Sequence, residues 1–347
     1  MLRGRIRAGR IAAAVVASVL LLAKHAFADG SQPSTSIWEP ASTPAFDIYH
    51  LSFFVLEITA AIFVVVASLL AYTLVRFRAR RDDDQSEPAQ IYGSNQVELA
   101  WTVIPVLIVV VLFLTTARVI FAIQDAPKPQ AALEVTAVGH QFWWEYRYPK
   151  EGIVGANELH VPVSSKGQPT PTYIKLLSAD VDHSFWLPQL AGKTDLIPNH
   201  PNDIWIDPLK PGLYLGQCAQ FCGVQHANML LRVYVDTPEQ FAAWVSNQKK
   251  NGAQDATVAA GRHVFETQAC MNCHTVQGTA ATGRFGPDLT HLASRDTLAS
   301  GMIPNSRDNL RHWIKDPNTI KPGCLMPAMQ LSEEQLDQVT NYLETLK

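Results

Sequence analysis

No cysteine precedes Cys218 in this 347-residue chain, and the five present, at 218, 222, 270, 273 and 324, are an odd number. That scarcity excludes a dense disulfide scaffold and leaves cofactor chemistry as the use for the closely spaced pairs. Charge is sparse as well: 17% of residues are charged and the net charge is −3. No basic field is available to hold a nucleic acid. Lys and Arg are missing from Asp29 to His50, and no internal repeat is present. Hydrophobic residues make up 47% of the chain.

Much of that apolar content is concentrated near the N-terminus. Residues 1–28 read as a signal peptide. Arg3, Arg5, Arg7 and Arg10 precede an apolar run from Ile11 to Ala23, and Ala26-Phe27-Ala28 is an A-x-A cleavage site. The run is short for a membrane span, so the mature chain is expected to start near Asp29. Two longer uncharged runs follow, Ile58 to Val75 and Leu99 to Ala117. Each has the length of a transmembrane helix, expected over about 51–75 and 99–123 of an N-terminal region 29–125. Arg76, Arg78, Arg80 and Arg81 lie between the runs. The positive-inside rule therefore puts the connecting loop in the cytoplasm and everything after about Ile123 outside. Glu57 falls inside the first apolar segment, where a charge must find a partner or reach the surface.

Residues 131–245 change character. Leu133, Val135 and Ala137 alternate with polar residues, as do parts of 173–177 and 229–235, and Pro and Gly punctuate the gaps. That pattern predicts an all-β sandwich or barrel. Residues 246–257 are polar and aperiodic, as a linker would be. Residues 258–347 read as helical. Ser332 with Gln335 fits a capping box, and Leu336, Val339, Leu343 and Leu346 trace one face of a terminal helix.

Two motifs carry chemistry. Cys270-Met-Asn-Cys273-His274 is C-x-x-C-H, whose thiols can add to haem vinyl groups while the imidazole reaches the iron. Met326 and Met329 are the downstream candidates for the second axial ligand. The second motif, Cys218-Ala-Gln-Phe-Cys222-Gly-Val-Gln-His226-Ala-Asn-Met229, packs two thiols, an imidazole and a thioether into one short loop. Soft sulfur with imidazole selects copper, and two cysteines can bridge two ions. His183, at the end of a strand-like run, is the best second histidine.

The C-terminal region resembles class I cytochrome c. That family places its ligand in Gly-x-x-Met-Pro, which matches Gly323, Met326 and Pro327, and Gly286-Pro287 resembles its loop beside the ligand histidine. From about residue 40 onward the chain resembles cytochrome c oxidase subunit II with a fused C-terminal cytochrome c, the caa type. Ser178-Ala-Asp-Val-Asp-His-Ser and Gly192-Lys-Thr-Asp-Leu-Ile-Pro match further family segments. The resemblance implies a multidomain membrane protein: a two-helix transmembrane hairpin, an all-β cupredoxin sandwich and an all-α class I cytochrome c. It implies a dinuclear copper centre, CuA, on His183, Cys218, the Gln220 carbonyl, Cys222, His226 and Met229, and one covalent haem c on Cys270 and Cys273 with His274 and Met326 axial. Glu98 matches a proton-path entrance into subunit I. Where the family usually has a magnesium-binding Glu at the interface with subunit I, this chain has Gln220. Phe142 stands where many relatives have the tryptophan that receives electrons, leaving Trp143 and Trp144 as candidates.

The implied protein is a subunit of a proton-translocating, oxygen-reducing oxidase. It would pass electrons to subunit I, beside subunit III, from cytochrome c or an upstream quinol–cytochrome c reductase. It would sit in the cytoplasmic (inner) membrane with both cofactor domains outside. The competing reading is a membrane-tethered copper-binding assembly or carrier protein, which has no need of a haem.

Overall fold

Two long helices open the structure, a computed structural model that describes residues 34–78, 90, 92–126, 128–130, 132–164, 169–252 and 255–347. The expected signal peptide and Arg80 and Arg81 lie outside the described residues. Helix α1 is Thr43–Arg76 and helix α2 is Asn95–Gln124. Both are longer than the apolar runs alone suggest. Pro44 sits in the first turn of α1, where a missing N–H costs nothing. The apolar side chains stay bare: Phe63, Val75 and Phe113 are 70%, 81% and 68% exposed. A helix that is apolar all round and uncovered by protein needs hydrocarbon as its solvent.

Ten strands follow: β1 Leu133–His140, β2 Trp143–Tyr148, β3 Ile153–Ala156, β4 Glu158–Pro162, β5 Thr172–Ser178, β6 His183–Trp186, β7 Lys193–Leu196, β8 Asn202–Ile206, β9 Gly212–Cys218 and β10 Leu230–Asp236. They form two five-stranded sheets, ordered β3-β2-β1-β5-β8 and β4-β10-β9-β6-β7. Period-two alternation sends Leu231, Val233 and Val235 of β10 inward, where they join Trp144, Tyr146, Ile174 and Phe185 in one core. Two pairings are parallel, β1 with β5 and β4 with β10, and join strands far apart in sequence.

Helix α3, Pro238–Gln248, carries a complete capping box from Thr237 and Gln240 and lays Phe241, Trp244 and Val245 on the sandwich. It falls mainly within 131–245, the stretch expected to be all-β, and runs on into the first residues of the expected linker, 246–257. The haem-motif region holds α4 Ala259–Thr267, the single turn α5 Cys270–Cys273, α6 Arg307–Lys315, α7 Pro317–Ile320 and α8 Glu333–Leu343. The Ser332–Gln335 capping box starts α8. A two-residue hairpin, Thr297–Leu298 with Ile303–Pro304, interrupts the helices. Val264 and Phe265 of α4 pack with Leu336, Val339 and Tyr342 of α8 in a second core. Ser36–Lys347 is one compact unit.

Candidate copper and haem centres

Strand pairing brings the copper loop together. Phe185 of β6 lies opposite Cys218, the last residue of β9, so His183 and Cys218 sit at the same end of one sheet. The loop from 218 to 229 is tied at its base: Cys218 N–H donates to Met229 O at 2.9 Å, and Ala219 N–H to Ser184 O at 3.0 Å. His226 begins a 3₁₀ turn, His226–Asn228, that swings its ring back toward the cysteines.

The donors converge. Cys218 Sγ is 3.9 Å from His183 Nδ1, 3.8 Å from Cys222 Sγ and 3.2 Å from Gln220 O. Cys222 Sγ is 3.7 Å from His226 Nδ1 and 3.9 Å from Met229 Sδ. Both cysteines are free, and their separation is almost twice a disulfide length of about 2.05 Å. His183, Cys218, Cys222 and Met229 are buried, while the Gln220 side chain is exposed. Five side chains and one carbonyl thus offer soft and imidazole donors at one point, a set suited to copper.

A second layer orients these groups. Asp180 Oδ1 lies 2.8 Å from His183 Nε2, which fixes Nε2 as the protonated nitrogen and turns the Nδ1 lone pair toward Cys218. Gln141 N–H and Val181 N–H also donate to Asp180, at 2.6 and 2.7 Å. Burial raises the Asp180 pKa, but these hydrogen bonds outweigh it and hold the carboxyl below its ordinary value. Gln141 reaches the other way too, donating through Nε2 to Cys222 O at 2.6 Å. Gly139 packs against the His183 ring so closely that a Cβ there would come within 2.8 Å of it.

The second site is an apolar cleft in the haem-motif region. His274 follows α5, and its Nδ1 lies 2.8 Å from Pro287 O, leaving Nε2 free for a metal. Burial lowers the imidazole's pKa, which keeps it neutral as a ligand must be. A Cβ on Gly286 would meet the ring at 2.6 Å. Cys270, Cys273, His274, Met326 and Met329 all line the cleft, with Phe265, Leu289 and Trp313 among the walls. Apolar walls, paired thiols and a fixed imidazole fit a covalent haem.

The two electron-acceptance candidates part company. Trp143 is half-buried, stacks on His140 with ring centroids 4.2 Å apart, and lines the haem cleft beside Gln141 and Phe142. Trp144 is fully buried in the sandwich, 5.6 Å from Phe185 and 6.0 Å from His183 between ring centroids. Glu98 is exposed on the first turn of α2. The sequence motifs alone assign no role to Asp180, Gln141 or Gly139. Asp180 at least carried a signal, three residues before His183, whereas a residue bonding through backbone carbonyls carries none.

Three family descriptions match in order: "Cytochrome C oxidase subunit II, transmembrane domain" over residues 31–119, "Cytochrome C oxidase subunit II, periplasmic domain" over 156–235, and "Cytochrome c" over 258–347. The chain is 33% identical over 316 residues to cytochrome c oxidase subunit 2 of Alkalihalophilus pseudofirmus, covering 89% of this chain and 90% of that one. The chain belongs to the cytochrome c oxidase subunit 2 family. The subunit 2 proteins of Bacillus sp. PS3, at 33% over 78% of this chain and 80% of theirs, and of Bacillus subtilis, at 30% over 91% and 93%, agree. The protein is therefore an electron-transfer subunit of a haem–copper oxidase, a membrane protein with periplasmic domains that associates with other oxidase subunits. Its subunit II domain implies CuA copper and its cytochrome c domain a haem c.

Proposed function

We propose that His183, Cys218, Cys222, His226, Met229 and the Gln220 carbonyl hold the copper pair, and that Cys270, Cys273, His274 and Met326 hold the haem. The observation that carries the first assignment is the convergence of its six donor groups, each within 3.2–3.9 Å of another. When bound, these groups supply one-electron redox chemistry. The chain's own residues fix where that chemistry happens. Asp180 orients His183, Pro287 O orients His274, and the sandwich core keeps water from both thiols. Met326 is preferred over Met329 because it alone sits in the Gly-x-x-Met-Pro segment. Buried thiols also favour the oxidase reading over a copper carrier, whose cargo must be reached.

Trp143, at the cleft, is the residue through which electrons enter, and Glu98 marks a proton-path entrance. Gln220 supplies an oxygen but no charge to a magnesium ion, so that ion at the interface would depend on carboxylates of subunit I. Subunit I and subunit III are the partners, cytochrome c or a quinol–cytochrome c reductase the donor, and the cytoplasmic membrane the location.

The test is spectroscopy of the purified complex with Met326→Ala and Met329→Ala variants. The wild type should show a mixed-valence copper EPR signal and covalent haem stain at this chain's mass. Met326→Ala should lose the sulfur-to-iron charge-transfer band and Met329→Ala keep it. Haem extracted by acid acetone, or a single-copper signal, would overturn the assignment.

A further inference from the structure

Lys321 stands at the head of the loop that carries Met326, and its ammonium is buried, with the residue 3% exposed. Its Nζ donates to three carbonyls: Phe142 O at 2.8 Å, Asn228 O at 3.0 Å and Ala299 O at 3.2 Å. These belong to three different places. Phe142 is in the turn between β1 and β2 that lines the haem cleft. Asn228 is in the copper loop, next to Met229. Ala299 is in the hairpin of the haem region. An ammonium has three protons, and all three are used.

Burying a cation costs free energy that a methionine of similar length would not incur. Among the described residues no carboxylate forms an ion pair with Lys321, and its hydrogen-bond partners are the three carbonyls. Burial lowers its pKa to about 8, against a smaller opposing pull from Cys324 and Cys222, so the side chain is still charged at neutral pH. A charge kept at such a place fixes geometry. Neighbouring contacts point the same way. Gln225, buried, donates to Pro322 O at 2.7 Å and receives a hydrogen bond from Asn228 at 2.6 Å. Glu158 makes a separate attachment further off, accepting from Asp296 N–H and from the N–H and hydroxyl of Thr297.

We infer that Lys321 is a positioning residue that locks the haem-ligand loop, 321–329, onto the copper-ligand loop, 218–229, and so sets the distance between the two cofactors. The lock makes the cytochrome region a fixed donor to the copper site rather than a tethered shuttle. Which loop serves which cofactor rests on the ligand assignment proposed above; the contacts themselves do not.

The experiment compares Lys321→Met and Lys321→Arg in the assembled oxidase by amide hydrogen exchange and by electron equilibration between haem and copper after photoreduction. Copper and haem spectra of the wild type are recorded first. Their absence would sink the ligand assignment and leave the exchange test of the lock standing. Lys321→Met should keep both spectra while amides of 222–229 and 321–329 exchange about tenfold faster, the equivalent of about 1.4 kcal/mol. Electron equilibration should slow by a similar factor and become sensitive to solvent viscosity. Lys321→Arg, which keeps charge and donors, should restore most of the protection. Should Lys321→Met fail to assemble, Lys321→Gln is read in the same way. Unchanged exchange in both loops, or equal acceleration throughout α8, which would mark general loosening, overturns the inference.

Discussion

At the scale of single residues, Asp180 sets the orientation of His183, one of the proposed copper ligands, from outside the donor cluster. The imidazole of His183 could turn either nitrogen toward Cys218. The carboxylate 2.8 Å from Nε2 decides the matter, and it is itself held by backbone N–H groups of Gln141 and Val181. Asp180→Asn keeps the size of the side chain but removes its charge and offers an amide that can present N–H to the ring. Copper retention against a chelator should fall by about 10- to 100-fold, as for other groups that orient metal-bound histidines. Copper content after dialysis, with haem stain as the internal reference, is the measurement. Unaltered retention would mean that the sandwich core alone holds His183 in place. Gln220 illustrates the opposite case, since its carbonyl oxygen lies 3.2 Å from Cys218 Sγ while its side chain is exposed, so a change of side chain there leaves that contact in place.

Elements differ in how much of themselves the sequence discloses. The membrane helices, the strand alternation of β1 and β10, and the Ser332 capping box are local patterns, and each element is present at its pattern, the two helices running beyond the expected 51–75 and 99–123. Helix α3 is hard to read because its apolar residues, Phe241 to Val245, form one short run rather than a helical period, although Thr237-Pro-Glu-Gln240 spells its cap. The parallel pairings β1–β5 and β4–β10 left no local signature, since the partners are separated by other strands. The copper and haem motifs stand out in the sequence where their side chains cluster, at 218–229 and 270–274. Lys321 does not, because its three acceptors are main-chain carbonyls scattered from 142 to 299. Gly139 belongs to this second group: β1 must pass close to the start of β6, and only a missing Cβ permits it. Gly139→Ala places a methyl 2.8 Å from the His183 ring. The ring should shift, so copper binding should weaken while far-UV circular dichroism and haem content stay at wild-type values. Loss of the β signal as well would show that the glycine serves the sheet rather than the site.

The whole molecule is organised by the membrane. Both outer ends of the helical hairpin are fastened to the sandwich. Ala41 N–H donates to Gln189 O at 2.8 Å and the Thr43 hydroxyl to Asp207 at 2.6 Å at the start of α1, while the Trp205 indole donates to Ile123 O at 2.7 Å at the end of α2. The start of α1 and the end of α2 therefore lie on the same side as the copper domain. The Arg76 end of α1 and the Asn95 start of α2 are left together on the other side, as two consecutive spans require. Arg76 and Arg78 are there, and the stretch from Asp29 to His50, which runs into α1, has no Lys or Arg. The positive-inside rule then assigns the arginine side to the cytoplasm, in agreement with periplasmic cofactor domains. An alkaline phosphatase fused after Gln90 should be inactive, and one fused after Asp125 active. Replacing Arg76, Arg78, Arg80 and Arg81 with Gln should raise activity of the Gln90 fusion in part of the population, because the charge bias would be gone. A Gln90 fusion fully active in the native background would invert the hairpin and put the sandwich in the cytoplasm, against the arginine bias that alone orients it, since the contacts of Ala41, Thr43 and Ile123 hold in either orientation.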